Sequence, residues 1–303
     1  MALNSQSMPP PATIEPSSHH YISQNLRLHY VDWGNPDAPP LLLLHGGRDH
    51  CRNWDWVAER LRHRYHIIAP DLRGHGDSQW SPDCDYAMAA HVFDLAELIH
   101  QLGLAPLTVI GHSFGGAIAL RYASVYPGHF EKLVSIEGLG LMPIEMQALA
   151  ARPLEERMRD WIETQRALKH RLPKRYASVD EAVARMRDAN AHLNAEQARH
   201  LTLYGLRQND DGTFSWKFDN HTRASYPIDI TPEQRHHLWS RISCPTLLAY
   251  GSDSWASNPE KDGRASYFPN ARVVMFDNAG HWVHHDQLDA FVTEVERFLG
   301  SND

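Results

Sequence analysis

The chain has 303 residues, 42% of them hydrophobic, with a formal net charge of −8. That charge speaks against a nucleic-acid binder, which needs a basic face, and no stretch approaches the roughly 18 consecutive apolar residues of a membrane-spanning helix. The cysteines Cys51, Cys84 and Cys244 are widely spaced without a Cys-x-x-Cys pair, which fits a reducing, cytoplasmic setting and neither a disulfide frame nor a zinc site. The 21 histidines are scattered without ligand-spaced cysteines or paired carboxylates, so no metal is expected.

Met1 to His20 is rich in Pro and Ser and lacks an apolar signal region, so residues 1–20 read as a flexible leader. Ile22 to Trp33 has period-two apolar residues, the pattern of two early antiparallel strands. Leu41–Leu44 is a buried strand that ends at His45-Gly46-Gly47. Helical spacing follows from Cys51 to Arg62, then a strand from Tyr65 to Ala69. Met88 to Leu102 is an amphipathic helix with Val92, Leu95, Leu98 and Ile99 on one face. The apolar run Leu107–Ile110, a helix to about Tyr126 and the strand Leu133–Ile136 continue the alternation, which predicts an α/β fold with a doubly wound, mostly parallel sheet.

That rhythm breaks between about Leu141 and Ser240, where Pro153–His170, Val179–Leu193 and Ala195–Arg207 read as charged helices. Asp211-Gly212 marks a hairpin turn before Thr213–Phe218. Alternation resumes with a strand at Thr246–Tyr250, a loop-helix to Phe268, a strand at Val273–Phe276 and a final helix from about Gln287 to Leu299. Both flanks are needed for one sheet, so residues 21–140 and 241–303 form the core and 141–240 a helical lid.

Residues 111–116, Gly-His-Ser-Phe-Gly-Gly, lie between a predicted strand and a predicted helix. This matches the G-x-S-x-G elbow that exposes a nucleophilic serine, here Ser113. Such a serine needs a base and a group to orient that base. His281, in Asn278-Ala279-Gly280-His281-Trp282 after the last strand, is the expected base. Two acids compete to orient it. Glu137 closes the strand Leu133–Ile136 and is favoured; Asp253 follows Thr246–Tyr250, one residue short of the commonest position for such an acid, where this chain has Ser254. The oxyanion donors are expected to be the amides of Phe114 and Gly47. Phosphate-binding glycine motifs are missing, so no nucleotide cofactor is expected.

Together, His45-Gly46-Gly47, Asp71-Leu72-Arg73-Gly74-His75-Gly76-Asp77-Ser78, the Ser113 elbow and Gly280-His281 resemble the landmarks of the α/β-hydrolase superfamily, in order, over about residues 22–140 and 241–299. The resemblance implies that Asp71–Ser78 is a structural loop and that the insertion is the family's cap. An acid after the sixth strand is similar to the arrangement in some haloalkane dehalogenases and in zearalenone-type lactonases. A serine, not an aspartate, at position 113 argues against dehalogenase or epoxide-hydrolase activity.

The expected function is cofactor-free hydrolysis of a small-molecule carboxylic ester or lactone through an acyl-enzyme. The alternatives are a carbon–carbon bond hydrolase or acyltransferase on the same triad, or a ligand-binding protein with little turnover. Trp54, Trp56, Phe114, Trp255 and Trp282 suggest an apolar pocket, while Arg48 and Asp49 stand where they could touch polar substrate groups.

Overall fold

The computed structural model describes residues 15–301, except 170, 225 and 228. Its main sheet has eight strands in the order β1 (Ser17–Ser23), β2 (Leu26–Asp32), β4 (His66–Pro70), β3 (Pro40–Leu44), β5 (Leu107–His112), β6 (Phe130–Ile136), β9 (Thr246–Gly251) and β10 (Ala271–Phe276). β2 pairs antiparallel with β1 and with β4, and all other neighbours are parallel. Parallel strands need covering on both faces, and β3 shows how the sequence meets that need. Leu42 and Leu44 point into one core cluster and Leu41 and Leu43 into the other, each at most 1% exposed. Burying each such side chain contributes roughly 1.5–3 kcal/mol.

The first cluster includes the inward residues of α2 (Met88–Leu102) and α3 (Phe114–Val125), such as Leu95, Leu98, Ile118 and Tyr122. The second takes Val57 and Leu61 of α1 (Asp55–Leu61) together with Phe291, Val295 and Phe298 of α10 (Leu288–Gly300). Their spacing of three and four lines one helical face. β5 lies inside the sheet with all six residues buried, so the turn leaving its carboxyl end opens onto the crevice where such sheets bind ligands.

Between β6 and β9 the chain forms α4 (Pro143–Ala151), α5 (Leu154–Lys169), α6 (Val179–Ala189), α7 (Ala195–Gly205), the hairpin β7 (Leu206–Gln208) and β8 (Phe214–Trp216), a 3₁₀ turn at Asn220–Arg223, and α8 (Pro232–Ser240). Leu193, Ala198 and Leu201 pack with Trp56 and Trp282, which seats this segment at the ends of the core strands. Tyr86 Oη donates to Asp219 Oδ2 at 2.6 Å and Asp219 N–H donates to Gly74 O at 2.8 Å, fastening it at a second place.

Several elements differ from the sequence-based expectation. β1 starts at Ser17, so the expected leader boundary at 20 falls inside a strand paired with β2; residues 1–14 of that leader lie outside the described residues. α4 and α8 were not expected. Both open with proline at the first turn, and α8 carries a capping box in which Thr231 Oγ1 accepts from Gln234 N–H. Trp239 of α8 belongs to the main core, so α8 packs with the sheet helices although it lies inside the span 141–240. The helix expected over Val179–Leu193 ends at Ala189. The loop-helix before Phe268 is a single 3₁₀ turn at Arg264–Tyr267, and α9 (Val283–Asp286) precedes α10 as a separate turn.

Candidate active site

Ser113 joins β5 to α3 at φ 50° and ψ −114°, outside the regions a non-glycine residue prefers. Close packing around the turn explains the flanking glycines. A Cβ on Gly111 would sit 2.8 Å from Gly115 O and from Gly116, and one on Gly115 would sit 2.5 Å from Leu44 O and His45 O. The second clash shows how tightly the start of α3 presses on the loop after β3. Ser113 N–H donates to Ile136 O at 2.7 Å, which ties the elbow to β6.

Glu137 follows β6 directly, 3% exposed and at φ 49°. Its Oε1 accepts from Gly251 N–H at 2.9 Å; its Oε2 accepts from Ser254 Oγ at 2.6 Å and from His281 Nδ1 at 2.5 Å. Three donors therefore satisfy one buried carboxylate, the condition under which burying a charge is tolerable. With Nδ1 donating to the carboxylate, the Nε2 edge of His281 is left for other partners.

The sequence-predicted residues come together unequally. Ser113, His281, Gly47 and Phe114 all line one cavity of about 600 Å³, and a Cβ on Gly47 would lie 4.0 Å from Phe114 Cβ. Asp253 also borders this cavity, but it is exposed, and its Oδ1 accepts from Ser252 Oγ at 2.8 Å. The carboxylate beside His281 is that of Glu137. Ser254, the residue at the commonest acid position, meets the same carboxylate as a donor.

Other histidines hold the frame without charge. His112 Nε2–H donates to His281 O at 2.9 Å; burial, with the neighbouring His281 adding to it, lowers the His112 pKa well below 6.5. His45 Nε2 accepts from Leu72 N–H at 3.0 Å, so its Nδ1–H donates to Gly46 O at 2.7 Å. Burial, reinforced by His75, pushes the His45 pKa down to about 3. These two rings clamp the His281 loop and the loop bearing Gly47.

The Asp71–Ser78 segment is an internal scaffold. Asp71 accepts from Cys51 N–H, His29 Nδ1 and Asp77 N–H at 2.7, 2.7 and 2.9 Å. Burial raises its pKa, but these hydrogen bonds, the one from His29 first, outweigh that and hold it below the carboxylate range. His29, Cys51 and Asp71 stand close enough for a metal ion, but the bonds just named already occupy the Asp71 carboxylate. All three cysteines are free, two of them buried.

The aromatic residues divide. Trp255 and Trp282 line the cavity, and the Trp255 ring lies 5.0 Å from that of His281. Trp54 is a core residue, 0% exposed and stacked on His284 at 4.5 Å, while Trp56 packs with Leu193 and Leu201. Trp54 leaves the pocket because the 3₁₀ turn Cys51–Trp54 buries it in the core, and Trp56 because it seats the insertion. Asn190, His192 and Leu193 line the cavity from the insertion; no local motif marks them, since their position depends on how α6 and α7 dock.

The family model for the α/β hydrolase fold matches residues 39–288. The chain belongs to the α/β-hydrolase fold family. It is similar to sn-1-specific diacylglycerol lipase ABHD11 of Mus musculus, at 29% identity over 88% of this chain and 82% of that protein. It is also similar to an esterase of Mycobacterium tuberculosis, at 28% identity over 88% of this chain and 84% of that one. Among solved structures, the thioesterase domain from the curacin biosynthetic pathway superposes with a TM-score of 0.81 at 24% identity, over 95% of this chain and 100% of that domain. This α/β hydrolase has esterase- and lipase-named relatives, and no helix among its described residues is long and apolar enough to cross a membrane.

Proposed function

We propose that the protein is a serine hydrolase of small carboxylic esters or lactones, acting through an acyl-enzyme on Ser113, His281 and Glu137. Three donors on the buried Glu137 carboxylate, one of them His281 Nδ1, are the observation that carries this reading. His281 takes the Ser113 proton as Oγ attacks the carbonyl carbon. The Gly47 and Phe114 amides donate to the oxyanion that forms. His281 then gives its proton to the departing alcohol oxygen, and the acyl group stays on Ser113. Water attacks the acyl carbon with His281 again as base, releasing the acid and restoring the serine.

Glu137 fixes the imidazole tautomer and offsets the charge of the imidazolium. The insertion 141–240 serves as a cap, supported by its packing on Trp56 and Trp282. The unpaired cysteines fit a reducing, cytoplasmic setting. The test is hydrolysis of p-nitrophenyl butyrate and labelling by a fluorophosphonate. Both should vanish in Ser113→Ala, with the label on Ser113 in the wild type. Labelling elsewhere, or full activity in Ser113→Ala, contradicts the reading.

A further inference from the structure

A second cavity, of about 450 Å³, adjoins the first at Gly47 and Phe114. Arg48, from the turn after β3, and Arg223, from the 3₁₀ turn of the insertion, both line it. The charges acting on Arg223 come from Arg48 and Arg171 and are repulsive; with burial as the larger cause, they pull its guanidinium below the ordinary value. The carboxylates nearby are engaged elsewhere: Asp219 accepts from Tyr86 Oη and His221 N–H, and Asp77 pairs with Lys217. Asp49, next to Arg48, is buried and engaged with other partners: its Oδ1 accepts from His50 N–H and its Oδ2 from Asn53 Nδ2.

Two further observations converge on this wall. Arg48 sits at φ 63°, a left-handed conformation that favours glycine or asparagine over arginine. His75 and His91, 1% and 2% exposed, also line the cavity, and each has a ring nitrogen without a hydrogen-bond partner among the described residues. Guanidinium groups that line one cavity beside Gly47 and pair with no carboxylate among the described residues are recognition elements for an anionic oxygen group.

We propose that this cavity is a substrate subsite for an anionic oxygen group, a carboxylate or a phosphate-type group, carried by the ester and held by Arg48 and Arg223. The assignment builds on the proposed role of Ser113 and narrows its substrate class to acidic esters.

The experiment compares kcat/KM for monoethyl adipate, ethyl 6-phosphonohexanoate and neutral ethyl hexanoate, followed by acid release in a pH-stat. The wild type should prefer a charged ester by about 10–100-fold, the scale of a charge-assisted contact. Arg48→Gln and Arg223→Gln should each cut that preference about tenfold, mainly through KM, while Arg223→Lys, which keeps the charge but not the planar fork, should cut it less than Arg223→Gln does. The better of the two charged esters shows which anion the site takes. Equal use of neutral and charged esters, or a preference that survives both glutamine variants, overturns the subsite.

Binding gives a separate readout, by calorimetric titration of monoethyl adipate into Ser113→Ala. Affinity that falls about tenfold with an added Arg223→Gln supports the subsite even if no ester is cleaved, and that failure then counts against the Ser113 reading alone. No measurable binding of the charged ester counts against the subsite itself.

Discussion

Two neighbouring strands of the sheet, β6 and β9, each end in a loop that offers an acid to His281. After β6, Glu137 is buried, sits at φ 49° and accepts three hydrogen bonds, one from the last residue of β9 and one from the loop after it. After β9, Asp253 is exposed and bonded to its own neighbour Ser252. The end of β9 and its loop thus supply donors to an acid held by β6. An orienting carboxylate is better recognised by what satisfies it than by its distance from a strand end, because a buried charge persists only where donors surround it.

Removing the charge from each loop in turn should produce the largest contrast. Glu137→Gln should lower kcat by about 10³–10⁴-fold, as loss of an orienting carboxylate does, and Asp253→Asn should stay within about twofold, since exposed polar changes have small effects. Steady-state hydrolysis of p-nitrophenyl butyrate measures both, and a crippled Asp253→Asn would reverse the comparison.

Moving the acid is the second test. Ser254 already points its hydroxyl at the Glu137 carboxylate, so Glu137→Ala with Ser254→Asp puts a carboxylate near the same imidazole. The double variant should recover about tenfold or more of the kcat lost in Glu137→Ala, a positive coupling between contacting sites. No recovery would mean that the β6 position itself is required.

Trimming one donor should do less. Ser254→Ala removes one of three hydrogen bonds to a buried charge and should lower kcat about tenfold. Ser252→Ala removes the donor to the exposed Asp253 and an acceptor of Asn278 N–H but no contact to Glu137, and should lower kcat less than Ser254→Ala does.

The smallest effect separates the loops from the neutral histidines beneath them. Burial, with neighbouring histidines adding to it, pushes His45 and His285 down to about 3, whereas in the unfolded chain they take up protons near 6.5. The unfolded state therefore binds more protons between pH 6.5 and 3, and stability should fall as pH drops through that window. The slope should be on the order of 1 kcal/mol per pH unit for each such group. Urea unfolding at pH 7 and pH 5 measures it; unchanged stability would mean that these rings are protonated in the fold.

Much of this arrangement is legible in the sequence where local chemistry dominates. The strand β3 reads from four consecutive leucines, the elbow from glycines that no side chain could replace, and Glu137 from its place at the end of an apolar strand. The rest depends on contacts between distant segments. Ser254 appears locally as a departure from a pattern, and its use as a donor emerges only when the β9 loop packs against the end of β6. Trp54 has the composition of a pocket residue, but the 3₁₀ turn Cys51–Trp54 before α1 buries it in the core. The caps of α8 were readable in Thr231-Pro232-Glu233-Gln234, yet its place beside α3 and not with the other insertion helices depends on Trp239 finding the main core.

The most direct test of the central claim follows the His281 Nδ1 proton by NMR in the wild type, Glu137→Gln and Asp253→Asn. The hydrogen bond to Glu137 should hold this proton in slow exchange, shifted far downfield, in the wild type and in Asp253→Asn, and the signal should be lost in Glu137→Gln. A signal that survives Glu137→Gln and disappears in Asp253→Asn would contradict the assignment of Glu137 as the partner of His281.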